Sequence, residues 1–392
     1  MLQQPKQLSN FRQKFLSPVQ NFFLDSKAIG VILIGCTIIS LLLSNTGWSN
    51  AYTSFWEKEL PTSATVHLPH SILHFINDGL MFFFFLLVGM EIKRELLIGE
   101  LSSIKKSLLP VIAALGGMMV PALIYTAWCG HTPFYKGWGI PMATDIAFSL
   151  GVLSLLGNRI PASVRIFLTA LAIIDDLGGI LTIAVFYAGN LNFTYLGLAG
   201  IIFGLLIVLN LFKVTQTVFH IGLGLLLWYF VYNSGVHATI AGVILAFTIP
   251  LKKITSWEHF LHYPVYFFIM PLFALANTAI VLPAHLQLVL SSEIHQGIFT
   301  GLLLGKPIGI YLFSLIAVKF KLASLPDGMS WKHLTGMGML AGIGFTMSIF
   351  MATLAFAEEE QQLIAKVAIL NASFVAGIVG YFYLRQKSKV KN

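Results

Sequence analysis

The chain has 392 residues, of which 57% are hydrophobic and only 10% are charged. Soluble globular domains have a charged share of about 25%, so this composition excludes a soluble protein and indicates an integral membrane protein. The formal net charge of +8 does not indicate nucleic-acid binding, because the basic residues lie in small clusters between apolar runs and form no stripe with interleaved aromatic residues.

Long apolar runs divide the whole chain. A bilayer core of about 30 Å requires about 20 apolar residues in helical conformation. Runs bounded by charged residues, proline or glycine lie near residues 28–44, 72–98, 108–129, 134–156, 164–189, 194–213, 217–232, 236–250, 260–284, 297–320, 334–356 and 361–385. We therefore predict an all-α integral membrane protein with about twelve transmembrane helices, in a single domain that spans residues 1–392.

The basic residues predict the orientation of these helices. An even number of helices places both termini on the same side of the membrane. Most of the 24 Lys and Arg residues lie in the termini and in the loops on that side, and only Lys58 and Lys136 lie in loops on the opposite side. Because cytoplasmic loops carry an excess of Lys and Arg, we predict a cytoplasmic N-terminal segment at residues 1–27 and a cytoplasmic tail at residues 386–392. The outward-facing connection at residues 45–71 is predicted to form either a small hairpin or an interfacial patch.

A weak internal repeat relates two of the predicted helices. The sequence LAIIDDLGGILTIAVFY (171–187) aligns without gaps to VAILNASFVAGIVGYFY (367–383), which places Asn371 opposite Asp175. Helices 3–5 would then correspond to helices 10–12, and an offset of seven helices turns the second copy upside down in the membrane. Inverted-topology repeats are typical of secondary transporters.

Two of the predicted helices contain residues that interrupt helical backbone. The fourth run contains Pro141, Thr144 and Asp145 near its middle, and the eleventh contains four glycines between residues 336 and 344. Proline removes a backbone donor, and glycine is the other common cause of a break. Crossed broken helices leave partial charges at the half-helix ends, so we expect Asp145 to compensate the positive ends and Lys306 the negative ends.

Two adjacent carboxylates, Asp175 and Asp176, lie in the middle of the fifth run. Successive residues on a helix point about 100° apart, so the two side chains cannot share one partner. Neighbouring like charges in a low dielectric do not both ionise without compensation, and we expect one of the pair to hold a proton at neutral pH unless a cation binds. The pattern predicts exchange of protons for a cation. The hard oxygen ligands of carboxylates, threonine and exposed carbonyls suit Na⁺, Li⁺ or a divalent ion, as transported ions and not as a resident cofactor.

Three other interpretations of these charges stay open. Asp145 and Lys306 could form a fixed ion pair that only holds helices together. An intramembrane aspartyl protease also uses two membrane carboxyls, and they face each other from separate helices. The neighbours Asp175 and Asp176 cannot do so, but Asp145 and Asp176 could. A passive cation channel would also contain acidic residues, and it is distinguished by flux that does not depend on an opposing proton gradient.

Several motifs together resemble the bacterial NhaA-type Na⁺/H⁺ antiporters over nearly the whole chain. They include GIPMATDIAFSLGVLSLLG, FLTALAIIDDLGGILTIAVFY, NDGLMFFFFLLVGMEIKRELLIGEL, SGVHATIAGV, EHFLHYPVYFFIMPLFALAN, GLLLGKPIGI and GIGFTMSIF. The resemblance implies twelve helices with crossed broken helices 4 and 11, and a secondary transporter without enzymatic activity or cofactor. It also implies electrogenic exchange of more than one H⁺ per Na⁺ or Li⁺, activation at alkaline pH, and a homodimer among the lipids of the bacterial inner membrane, with a role in sodium and pH homeostasis.

The resemblance also implies roles for individual residues by motif position. Asp176 would be the principal Na⁺ ligand and Asp175 its neighbour in ion and proton binding, and Lys306 would pair with Asp175 when no ion is bound. The polar residues at the two breaks would be Thr144, Asp145 and Thr346. The pH-response region would contain Glu91, Glu95, Glu258, His259 and His262, with His237 as a further candidate.

Simpler interpretations apply to the periphery of the site. The charged residues 91–95 lie at a cytoplasmic helix end, where a solvated, salt-bridged face is the alternative to pH sensing. For His237 the default interpretation is a buried histidine with satisfied hydrogen bonds. The aromatic run Phe82–Phe85 is predicted to face lipid.

Overall fold

The structure is a computed structural model that describes residues 27–61, 67–212, 214, 216–283 and 285–387. Most of the predicted N-terminal segment (residues 1–26) and of the predicted tail (residues 388–392) lies outside these ranges.

Each of the twelve apolar runs contains helix in the described part of the chain. In chain order the helices of these runs are α1 (Lys27–Ser44), α2 (Ile72–Ile98), α3 (Ile104–Cys129), α4a (Tyr135–Met142, a 3₁₀ helix), α4b (Ile146–Ser154), α5 (Ala162–Phe186), α6 (Phe193–Leu211), α7 (Thr217–Tyr232), α8 (Ile240–Thr248), α9 (Leu251–Asn277), α10 (Glu293–Lys319), α11a (Trp331–Ala341), α11b (Phe345–Ala355) and α12 (Glu359–Lys387). Among the described residues, 8 helices are long and apolar enough to cross a membrane, and the pair α11a and α11b, bent by 46°, makes a ninth where it is counted as one broken span. The predicted all-helical membrane fold is confirmed, while the α4, α7 and α8 segments are shorter than an unbroken span.

The outward connection between α1 and α2 contains a short helix, Ser49–Glu57. After it, a single antiparallel bridge joins Glu59 to Ser71, and the Leu60 amide donates to the His70 carbonyl at 2.9 Å. Residues 62–66 lie outside the described ranges.

The two broken helices cross and run antiparallel. The Ser149 hydroxyl on α4b donates to the Leu340 carbonyl of α11a at 2.9 Å. Reciprocally, the Ser348 hydroxyl on α11b donates to the Ile140 carbonyl of α4a at 2.9 Å. The second half of each helix therefore packs beside the first half of the other, so the predicted crossed breaks in helices 4 and 11 are confirmed.

Wide π-turns interrupt two of the unbroken spans close to the crossing. They occupy Val265–Ile269 in α9 and Gly301–Gly305 in α10. Pro271 and Pro307 follow at the next turn, and because proline has no N–H, a carbonyl in the preceding turn lacks its usual backbone donor. Such turns commonly lie at functional sites. The π-turn in α10 ends immediately before Lys306.

Helices α3 and α10 approach each other at two glycines. A Cβ atom on Gly309 would overlap the Gly116 carbonyl, and one on Gly116 would overlap the Gly309 carbonyl. This backbone contact brings α10, and with it Lys306, close to the centre of the protein.

The prediction that the aromatic run on α2 faces lipid is wrong for most of its members. Phe82, Phe84 and Phe85 are at most 5% exposed, and the rings of Phe85 and Phe350 are 5.2 Å apart. The reason is the position of α2, which is packed between α5, α8 and α9 and has little surface left for lipid.

Candidate ion-binding site

Asp145 lies where the two second half-helices, α4b and α11b, begin. Its Oδ1 atom accepts from the Phe148 amide at 2.9 Å. Its Oδ2 atom accepts from the Thr346 amide at 3.1 Å and from the Thr346 hydroxyl at 2.5 Å. Helix N-termini carry partial positive charge and unpaired N–H groups. The carboxylate therefore compensates two positive ends at once, in the place that the break pattern predicts for it.

The backbone groups freed by one break are paired with those of the other. The Asp145 amide donates to the Ile343 carbonyl at 2.7 Å. The Thr144 hydroxyl lies 2.9 Å from the Ala341 carbonyl oxygen and 2.8 Å from Asp175 Oδ2, and with one hydrogen it donates to one of them at a time. The polar groups exposed at the two breaks therefore form hydrogen bonds with each other, inside a region that excludes bulk water.

Lys306 is fully buried and forms an ion pair with Asp175. Its Nζ atom lies 2.6 Å from Asp175 Oδ2 and donates to the Thr144 hydroxyl at 2.9 Å. We expected Lys306 to compensate the negative helix ends, and the structure shows other partners for its ammonium group. The ammonium contacts a carboxylate and a hydroxyl, and it is Thr144 that reaches the Ala341 carbonyl at the end of α11a.

Asp176 faces a different environment from its neighbour, as the angle between successive helical residues requires. It is 7% exposed and borders a cavity of about 10 Å³, whose polar wall comprises Asp145, Asp176 and Thr346. Among the described residues, neither Asp176 Oδ2 nor Asp175 Oδ1 has a hydrogen-bond partner. A cavity of this size holds about one water molecule. Its oxygen ligands, with the unpartnered Oδ2 atom of Asp176 among them, fit a small, hard cation.

Arg94 forms ion pairs with two residues of the predicted pH-response group, Glu95 and Glu258. The Arg94 Nε atom donates to both Glu258 carboxylate oxygens at 3.1 Å, and its Nη1 atom lies 2.6 Å from Glu95 Oε1. Glu91 lies half-buried on α2, one turn before Glu95. The structure therefore brings α2 and α9 together through Arg94.

Two of the three histidines of that group, His259 and His262, lie one turn apart on α9, and their ring centroids are 6.5 and 5.5 Å from that of Tyr263. His262 is half-buried on α9, with its ring centroid 4.9 Å from that of Tyr266. His259 is exposed, and His237 lies half-buried in the turn between α7 and α8.

Sequence reasoning missed two buried residues, one away from the ion site and one beside it. The interpretation of residues 91–95 as a solvated face is wrong for Lys93, which is 8% exposed and whose Nζ atom donates to the Phe247 and Ile249 carbonyls at 2.8 and 2.5 Å. These carbonyls lie at the C-terminus of α8, where a cation is favourable. Tyr266 lines the Asp176 cavity. It follows Glu258 and His262 at intervals of four residues, and this helical spacing indicates that the three residues lie on one face of α9.

Comparison with known proteins identifies the family. The family model described as Na⁺/H⁺ antiporter 1 matches residues 20–384. The Na⁺/H⁺ antiporter NhaA 1 of Flavobacterium johnsoniae is 50% identical over 378 residues, which cover 95% of this chain and 97% of the relative. The NhaA antiporter of Flavobacterium psychrophilum is 50% identical over 372 residues, covering 93% of this chain and 95% of the relative, and that of Escherichia coli O1:K1 is 46% identical over 378 residues, covering 94% and 97%. The resemblance seen in the motifs is confirmed, and the chain belongs to the Na⁺/H⁺ antiporter 1 family.

Proposed function

We propose that this antiporter exchanges Na⁺ or Li⁺ for protons by letting them compete for Asp176 and Asp175. The observation that carries the proposal is the unpartnered Oδ2 atom of buried Asp176 beside a cavity that fits one small cation. A cation that enters the cavity replaces a proton as the counter-charge of the Asp176 carboxylate. Lys306 holds Asp175 ionised while no cation is bound, and Asp145 and Thr346 complete the polar wall.

The charges at the centre support an electrogenic exchange. Asp145, Asp175 and Asp176 are buried together with one buried cation, Lys306. If all four groups ionised, the centre would carry an excess of negative charge in a low dielectric, which is strongly unfavourable. Formally the four groups carry two more negative than positive charges, of which the helix N-termini at Asp145 offset a part, and we propose that more than one H⁺ moves for each Na⁺.

We propose a homodimer in the lipid of the bacterial inner membrane, with both termini cytoplasmic and activation at alkaline pH. The orientation is supported by the excess of Lys and Arg in the loops on one side. The pH response is assigned to Glu91, Glu95, Glu258, His259, His262 and His237. It is supported by the Arg94 pairs that join α2 to α9, two helices that also line the Asp176 cavity.

We propose a transporter without enzymatic activity or resident cofactor. A protease dyad needs two carboxyls free to do acid–base chemistry across helices. Asp145 instead accepts hydrogen bonds from Phe148 and Thr346, and Asp175 pairs with Lys306. The hydrogen bonds favour a fixed electrostatic role for Asp145, and Lys306 would compete with any dyad partner for Asp175.

The test is Na⁺-driven proton exchange in proteoliposomes that contain wild-type protein or Asp176→Asn. The amide keeps the shape of the side chain and loses its charge, so exchange should be abolished while the melting temperature stays close to that of wild type. Asp327→Asn is the matched control, because Asp327 is exposed in the loop between α10 and α11a. Near-normal exchange by folded Asp176→Asn would refute the assignment.

A further inference from the structure

The cavity beside Asp176 is lined by two kinds of residue. The polar ones are Asp145, Asp176 and Thr346, and most of the others are hydrocarbon. Helices α2 and α9 supply one wall, which consists of Phe84, Val88, Tyr266 and Met270. A cation at Asp176 would therefore have oxygen ligands from the polar residues and packed carbon beside them.

Tyr266 reaches this wall because α9 departs from α-helical geometry there. The π-turn Val265–Ile269 follows Pro264, and the Met270 amide closes it by donating to the Val265 carbonyl. The wider turn changes the angular relation between residues on either side of it. Tyr266 and Met270, 4% and 1% exposed, both line the cavity.

A column of polar side chains on α9 leads to Tyr266. The ring of His262, one turn earlier, is 4.9 Å from that of Tyr266. One turn earlier again, Glu258 pairs with Arg94 at 3.1 Å. The Tyr266 ring therefore borders both the ion cavity and this half-buried polar column.

We propose that Tyr266 is a specificity-determining residue, which seals the cavity so that a cation must shed its water to reach Asp176. The inference rests on the proposed function of Asp176. A cation that sheds its water and is held by carboxylate and hydroxyl oxygens is bound more strongly as Na⁺ or Li⁺ than as the larger K⁺, because the smaller ion comes closer to the charge of the carboxylate. Without the ring, water from the polar column would enter, and cations would bind partly hydrated and with less discrimination by size.

The test measures proton exchange driven by added Na⁺, Li⁺ or K⁺ in proteoliposomes that contain wild type, Tyr266→Phe, Tyr266→Leu or Tyr266→Ala. Tyr266→Phe keeps the ring and should keep the wild-type ratio of Na⁺ to K⁺ apparent affinity. Tyr266→Leu and Tyr266→Ala should lower this ratio by about tenfold, at the lower end of what pocket size achieves between similar ligands. Phe268→Ala is the matched control, since Phe268 lies in the same π-turn and is 60% exposed; it should leave the ratio unchanged.

A wild-type ratio in folded Tyr266→Leu would overturn the inference, and this milder variant serves if the alanine variant does not fold. Loss of the response to every cation, with normal melting, would overturn it as well, because Tyr266 would then act in transport itself. Asp176→Asn separates the two proposals. If that variant still exchanges Na⁺ for protons, the proposed function fails; if it is silent while the Tyr266 variants keep the wild-type ratio, only the selectivity inference fails.

Discussion

At the scale of single residues, three buried carboxylates differ in what surrounds them. Asp145 accepts three hydrogen bonds from two helix ends, and Asp175 Oδ2 contacts the Lys306 ammonium. Asp176 Oδ2, by contrast, has no partner in the described part of the chain. Because an ionised group in low dielectric is stable only when compensated, these surroundings make Asp176 the group most dependent on a proton or a cation.

The ion pair of Lys306 predicts a loss of stability on its removal. Lys306→Ala leaves Asp175 buried without its counter-charge, which should lower the free energy of unfolding by up to about 3–5 kcal/mol. Lys306→Arg keeps the charge but does not release a proton at physiological pH, so it should recover stability better than transport. Thermal melting and the pH profile of exchange measure the two effects. An alanine variant with wild-type melting and a wild-type profile would contradict the pairing.

Lys93 predicts a structural effect away from the ion site. Lys93→Met should leave the Phe247 and Ile249 carbonyls without their donor, at a cost of about 1–3 kcal/mol in the free energy of unfolding. Unfolding in denaturant measures the change. Lys252→Met, at an exposed position near the start of α9, is the control. Equal stability of the two variants would show that the carbonyls find other donors.

At the scale of helices, the sequence was sufficient to predict that each apolar run is helical and where two helices break. Pro141, Asp145 and the glycines of residues 336–344 act on the backbone locally, so their effect can be read without tertiary structure. The burial of Phe82 and Lys93 depends on which helices pack around α2, and hydropathy carries no such information. The π-turns were also missed, because a proline predicts a disturbed helix without specifying its geometry.

The contact between α3 and α10 predicts that Gly309 is intolerant of a side chain. Gly309→Ala places a methyl group against the Gly116 carbonyl, and the helices must separate, at a cost of about 1–3 kcal/mol. Because α10 carries Lys306, exchange should fall as well. Gly200→Ala on α6 is the control, since its Cβ would meet nothing within 4 Å. Thermal melting of both variants tests the contact, and equal melting temperatures would show that the crossing adapts.

At the scale of the whole molecule, two antiparallel broken helices bring polar groups together at one point. The first half of each helix packs beside the second half of the other, so the positive ends of α4b and α11b meet at Asp145. This arrangement keeps charges and broken backbone inside protein and away from lipid, as membrane structures require. It also confines proton and cation binding to one small volume, where the two ligands affect each other directly.

Sharing one volume predicts that Na⁺ and protons compete reciprocally. Each ligand lowers the apparent affinity for the other, and linkage makes the two effects equal. Apparent Na⁺ affinity should therefore rise with pH, by up to about tenfold per pH unit for each proton displaced, and flatten once the site is deprotonated. Isothermal titration of Na⁺ in buffers of differing ionisation enthalpy counts the protons released, and Asp176→Asn should release none. A shared site would be contradicted by an apparent Na⁺ affinity that stays flat from about pH 6 to 9, without proton release. The reason is that a cation that displaces no proton from these carboxylates cannot be driven through them by the proton gradient.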